Sequence, residues 1–224
     1  MNEESLAPTR RIVVLGVGNI LWADEGFGVR CVETLGAAWD VPPEVEVIDG
    51  GTQGLALVPL LHDATHILLF DAVAHRGEPG TLIVARDDEI PALMGGNKMS
   101  LHQVGVNDIL ASLDLLGYTP GHLTVVGIKP VELADYGGSL TDQVKAQIPA
   151  ALQLGIEELR RWGVEVRERT GGDERDVVID ALRQDVYESG RPSREAACRL
   201  GDPRFLRRTG ADPAEPGKPG GETE

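Results

Sequence analysis

Apolar runs and helical repeats alternate along this chain. Residues 12–17, IVVLGV, are apolar without interruption, the mark of a strand buried on both faces. Residues 24–38 then place Val29, Val32 and Leu35 on one face of a helix. The alternation continues. Strands are expected at 45–48, 67–70, 81–85 and 123–128, and helices at 55–61, 106–116 and 140–162, the last interrupted by Pro149. Strand–helix alternation of this kind predicts an α/β fold. The expected architecture is a three-layer, mostly parallel twisted sheet with helices on both faces.

The pattern changes near Thr170-Gly171-Gly172. Residues 173–206 are charged and hold two short candidate helices, 177–187 and 193–200. From Gly210 the sequence GADPAEPGKPGGETE cannot bury a core and is expected to be disordered. The predicted organisation is a disordered N-terminus at 1–10, an α/β domain at 11–169, and a C-terminal extension at 170–224. The extension is partly helical, then disordered.

Charge narrows the partners. The 36 acidic residues against 21 basic ones give a net charge of −15, which disfavours nucleic acid and anionic membranes. Cys31 and Cys198 are the only cysteines and form no CxxC pair, so neither a disulfide framework nor a thiolate metal site is expected. Cys31 falls within the first helix and reads as a packed thiol. The N-terminal MNEESLAPTRR has no apolar signal region, and no apolar run is long enough for a span. The protein is expected to be cytoplasmic and monomeric, without nucleic-acid or membrane partners.

The chemistry concentrates in VVLGVGNILWADEGFG, residues 13–28. A strand runs into a glycine-rich turn and a helix follows, at the carboxyl end of the first strand, where parallel α/β folds place their sites. A dinucleotide fingerprint requires G-x-G-x-x-G. Gly16 and Gly18 fit, but the third position is Leu21, and Gly26 and Gly28 come too late. Asp24 and Glu25 would also repel a pyrophosphate at a helix N-terminus. Asp24 is explained as a helix N-cap; Glu25 is not fully explained that way. Asp49 and Asp71 each end an apolar run, and strand ends of a parallel sheet open into a common crevice. Asp49, followed by Gly50-Gly51-Thr52, is equally a turn former; Asp71 has no such turn to make. One of the five histidines, His62, His66, His75, His102 or His122, could complete an open oxygen/nitrogen site for Zn²⁺ or Ni²⁺. Spacing does not choose among them. No HExxH, GxSxG or Cys–His pair is present.

Four blocks, VVLGVGNILWADEGFGVRCVETL, VIDGGTQG, LLFDAV and KMSLHQVGVNDIL, occur in this order over residues 11–165. Together they resemble the maturation endopeptidases of [NiFe]-hydrogenases. The resemblance implies removal of a short C-terminal peptide from the hydrogenase large-subunit precursor after nickel insertion, with cleavage after a basic residue. It assigns metal contact to Glu25, Asp71 and His102, and so selects His102 from the five histidines. It adds Asp49 to Glu25, Asp71 and His102 as the catalytic set, and Gly50 and Gly51 as substrate-binding residues. The nickel is carried by the substrate and no organic cofactor is implied. A non-catalytic nickel-sensing assembly factor is the alternative class, and a nucleotide-binding α/β protein the more distant one. Residues beyond about 170 lie outside the resemblance.

Overall fold

The computed structural model describes residues 10–90, 103–171 and 177–192, without the side chains of 103–108. The strands are β1 (Ile12–Val17), β2 (Trp39–Asp40), β3 (Val45–Gly51), β4 (His66–Ala72), β5 (Leu82–Arg86), β6 (His122–Ile128) and β7 (Arg167–Glu168). The α-helices are α1 (Phe27–Ala38), α2 (Val58–Leu61), α3 (Gln103–Leu115), α4 (Asp142–Lys145), α5 (Ile148–Arg161) and α6 (Gln184–Gly190). Among them no helix is long and apolar enough to cross a membrane.

Five strands form one sheet in the order β3-β1-β4-β6-β5. All neighbours are parallel except β5, which returns antiparallel along β6. The mostly parallel sheet predicted from the apolar runs is therefore present. A separate antiparallel ribbon pairs β2 with β7, and no sequence pattern announced it. β4 shows why the central runs lack alternation. Leu68, Phe70 and Ala72 pack with Phe27, Cys31, Val32 and Leu35 of α1 and with α5. Ile67 and Leu69 pack on the opposite face with Leu61, Ile109 and Leu113 of α2 and α3. Both faces are covered, so Ile67 to Phe70 are apolar without alternation. Cys31 is fully buried, as its packing role required, and burial pushes its thiol pKa well up. Cys198 lies outside the described residues.

Three helical expectations are corrected. The first helix does not begin at Asp24: a 3-10 turn occupies Ala23–Gly26, and α1 starts at Phe27. Ala23 enters that turn at φ 46°, a left-handed conformation uncommon for a residue with a side chain. The predicted 140–162 helix is two helices. Thr141 caps α4 by accepting from the Val144 amide, and Pro149 sits in the first turn of α5. A proline there forfeits no helical hydrogen bond, so it starts the second helix rather than kinking a longer one. The predicted 177–187 helix is instead a 3-10 turn at Asp180–Leu182 followed by α6. The 193–200 helix and the 210–224 tail fall outside the described residues.

Residues 180–190 lie against the α/β layers as a strap. Arg30, almost completely buried on α1, donates to the Leu182 carbonyl at 2.6 Å and to Glu33 at 2.7 Å. Glu33 in turn accepts from the Gln184 amide at 2.8 Å. Glu188 accepts from Ser139 Oγ and Lys145 Nζ, at 2.8 Å each. Burial pushes the Glu188 carboxyl up, but its bonds from Lys145, Ser139 and Gln184 outweigh burial and hold it at about 2, against an ordinary 4.5. A carboxylate with a depressed native pKa stabilises the native state above its unfolded pKa, and loses that contribution as pH falls through the native value. Hydrogen-exchange protection of the α6 amides, corrected for intrinsic rate, is expected to be constant above pH 4.5. It should fall between pH 4.5 and 2, and Glu188→Gln should flatten that dependence.

Candidate active site

Glu25 and Asp71 are brought together at the carboxyl end of the sheet. Asp71 is the penultimate residue of β4, completely buried, and among the described residues neither of its carboxyl oxygens has a hydrogen-bond partner of normal geometry. Burial pushes its pKa well above the carboxylate range. The Ala72 amide offsets this in part, and the nearby charge of Glu25 adds to the rise. Glu25 is itself only 5% exposed on its 3-10 turn. An ionised Asp71 in this position is costly unless a cation or a proton neutralises it.

Asp24 delivers Glu25 to that place, and not as a helix cap. Its Oδ2 accepts from the amides of Val131 and Glu132, both at 2.9 Å, and its Oδ1 from the Thr141 amide at 2.7 Å. The Thr141 hydroxyl adds a longer bond at 3.2 Å. The expected N-cap role fails because no side-chain cap bond forms at the start of either helical segment. The side chain is instead wholly committed to the loop after β6. Backbone bonds close the same seam: the Asp24 amide donates to Glu132 O and the Gly137 amide to Leu21 O. Trp22 bridges to Tyr136 and Gly138. Sequence spacing missed Val131, Glu132 and Thr141 entirely, and contained no signal for them beyond Thr141 as a helix cap.

The glycines of the first loop have a packing task. A Cβ on Gly28 would collide with the backbone carbonyls of Phe70 and Val17, so only glycine lets α1 lie directly on β1 and β4. Gly18, at φ 141°, would similarly strike the Glu25 carbonyl. Gly28 thus fills the role of the third fingerprint glycine, displaced down the chain by the turn that carries the acids.

Asp49 does not join the pair. Gly16 of β1 registers with Asp49 on one side and with Phe70 on the other. Residues in register on parallel strands share a face, so Asp49 lies on the α1 face with Phe70, and Asp71 on the opposite one. The surroundings agree. Burial raises the Asp49 pKa, the Gly51 amide lowers it, and Arg30 and Glu33 of α1 supply the nearest charges. Its Oδ1 accepts from the Gly51 amide at 2.9 Å, and Gly51 O accepts from the Gly18 amide at 2.9 Å. Asp49, Gly50 and Gly51 therefore shape the turn against which the first loop rests.

His102 lies outside the described residues, and among the described residues no three acids, histidines or cysteines gather into a metal site. α3 begins immediately after it at Gln103. Tyr118, just past the end of α3, meets His62 edge-on with ring centroids 5.3 Å apart. His62 precedes β4, so α3 ends at the amino edge of the sheet and begins toward the carboxyl edge that holds Asp71. Of the other histidines, His66 and His122 pair across β4 and β6 at that amino edge, ring centroids 4.9 Å apart.

The fold and these acids define a three-layer α/β protein with a paired-carboxylate site at the strand ends, not a phosphate cradle. The chain belongs to the hydrogenase maturation protease family, whose model matches residues 29–158, and it is a peptidase. It is 51% identical over 196 residues to hydrogenase expression/formation protein HupD of Rhodobacter capsulatus, covering 88% of this chain and 93% of that protein. It is 45% identical over 156 residues to hydrogenase 2 maturation protease of Escherichia coli, covering 69% of this chain and 94% of that protein. Among solved structures, it resembles the hydrogenase maturating endopeptidase HybD from E. coli with a TM-score of 0.67. That match has 43% identity and covers 71% of this chain and 98% of that one.

Proposed function

We propose that this peptidase removes a short C-terminal peptide from the large-subunit precursor of a [NiFe]-hydrogenase, and that it recognises nickel already seated in that substrate. The observation that carries this reading is Asp71: a buried carboxyl whose two oxygens have no partner among the described residues, beside a second buried acid. Unpartnered, buried carboxyl oxygens suit a cation arriving with the substrate. Glu25 and Asp71 supply oxygen donors and His102 an imidazole, a mixed set suited to nickel.

In this reading the substrate's nickel is a recognition tag that positions the scissile bond, and its charge polarises the carbonyl under attack. The chain's own residues do the holding. Asp24 locks the Glu25 turn to the loop after β6. Asp49 holds the Gly50-Gly51 turn, where the substrate backbone approaches closely. Three donors on a free enzyme bind metal weakly, which suits an ion that must leave with the product.

The test is processing of nickel-loaded and nickel-free precursor, read by mass spectrometry. Wild type is expected to shorten only the loaded form. Glu25→Gln and His102→Ala should fold normally and lose at least about a thousandfold in rate, the scale of removing a group that acts at the transition state. Full processing by either variant, or equal processing without nickel, would overturn the assignment. Binding of loaded precursor with no cleavage by wild type would instead favour a nickel-sensing assembly factor.

A further inference from the structure

We propose that Leu21, Trp22, Val131 and Tyr136 form the surface on which the folded body of the precursor docks before its C-terminal segment enters the site. The inference rests on the reading above that the substrate is a protein. Leu21 is 40% exposed, Val131 44% and Tyr136 48%. They come from two loops far apart in sequence, joined by the seam that holds the site. The Gly137 amide donates to Leu21 O at 2.8 Å, and the Trp22 and Tyr136 rings meet with centroids 5.1 Å apart. Large apolar side chains gathered in the open at one place mark an interaction surface rather than a core.

Three features point to the protein substrate as the occupant. The patch is continuous with the site: Leu21 and Trp22 lie on the same short loop as Glu25, and Val131 donates its amide to Asp24, the residue before Glu25. The patch is also preorganised, since backbone bridges and the buried Asp24 carboxylate fix both loops before any partner arrives. Binding therefore spends little on ordering these side chains. Finally, the tryptophan and tyrosine that meet in this patch are residue types that dominate protein interfaces.

On this proposal recognition is separable from cleavage. Glu25 and Asp71 are buried, so they discriminate only what is threaded to them. The exposed loops above them select which folded protein is presented.

The experiment compares wild type with a Leu21→Gln/Val131→Gln double variant and with Tyr136→Ala, all in the full chain. Both leave the net charge and the Asp24 bonds unchanged. A Leu115→Gln/Leu116→Gln double variant is the control, because those leucines are also exposed but lie at the C-terminal end of α3, at the other edge of the sheet. Affinity for nickel-loaded precursor and the steady-state constants of processing are measured separately. The rim variants are expected to weaken binding and raise KM by about tenfold, with kcat and melting temperature nearly unchanged, a typical loss for central interface contacts. The control should match wild type. Unchanged affinity and KM in the rim variants would overturn the proposal, as would a loss confined to kcat. Hydroxyl-radical footprinting of the free chain adds an independent arm. Trp22 and Tyr136 should be reactive alone and protected by precursor; protection already in the free chain would show that the chain covers its own rim, and would sink the idea. If wild type binds precursor through the rim without cleaving it, the peptidase reading for this substrate fails and the docking surface stands. If cleavage proceeds and the rim variants are indifferent, the reverse holds.

Discussion

Asp71→Leu is expected to make the protein more stable and inactive at once. Asp71 is completely buried, neither carboxyl oxygen has a partner among the described residues, and Glu25 lies close enough to oppose its ionisation. Replacing an uncompensated buried acid by an apolar side chain of similar volume removes a desolvation cost, and stability should rise by ~1–3 kcal/mol. Processing of nickel-loaded precursor should fall below detection. Paired melting and processing measurements check both halves. A destabilised variant would mean that Asp71 holds the fold together; a stabilised, active one would remove it from the site. The pH dependence gives a further reading. A group whose native pKa is raised contributes stability below its unfolded pKa and loses it as pH rises through the native value. Wild-type stability should therefore carry a declining component above the ordinary carboxylate range, and Asp71→Leu should lack it. Stability surrendered at a functional position is a common signature of an active site.

Asp24→Ala should have the opposite effect on stability and the same effect on activity. Its carboxylate is fully buried and accepts from the amides of Val131, Glu132 and Thr141. Removing it leaves three amide donors facing a void, and such losses in a buried network cost ~3–5 kcal/mol. Asp24→Asn is not a mild substitute. Both carboxyl oxygens accept amide protons, so an NH₂ group in place of either oxygen meets another donor. The Asn variant is expected to lose about 2 kcal/mol, the scale of one unmet buried bond. In both variants the loop after β6 is released and Glu25 loses its fixed approach to Asp71. Processing should fall by at least about a hundredfold even where the variant remains folded, since small misplacements of a catalytic group are that costly. Chemical denaturation and processing assays at a temperature well below melting separate the two effects. Retained activity in a folded Asp24→Ala protein would show that Glu25 does not need its anchor.

These two neighbours, Asp24 and Glu25, also show how far the chain could be read without coordinates. Their importance was visible, because acids at a strand end cannot serve a phosphate. Their roles were not. Asp24 read as a cap because capping is the local task available to an aspartate before a helix. In the folded protein its partners are 107 to 117 residues away, and nothing local signals them. Asp49 was legible as the end of a strand but not as belonging to the face opposite Asp71, since face depends on register across β1. His102 was singled out only through the family blocks.

The sequence by itself determined the layered α/β fold, the acids at the strand ends, and the departure of the first loop from a dinucleotide fingerprint. Those follow from apolar runs, helical period and the spacing of glycines and acids, all short-range properties of the chain. Tertiary structure alone decided that Asp24 clamps a distant loop, that Gly28 serves as the displaced packing glycine, and that Asp71 is completely buried. It alone decided that the 180–190 strap closes over Arg30 and that exposed apolar residues of the first loop meet those of the loop after β6. Each of these depends on which segments meet after the sheet has formed. Hydrophobic burial selects the layers without regard to residue identity, whereas the hydrogen bonds and buried charges that make the site are satisfied only by particular atoms brought from far along the chain.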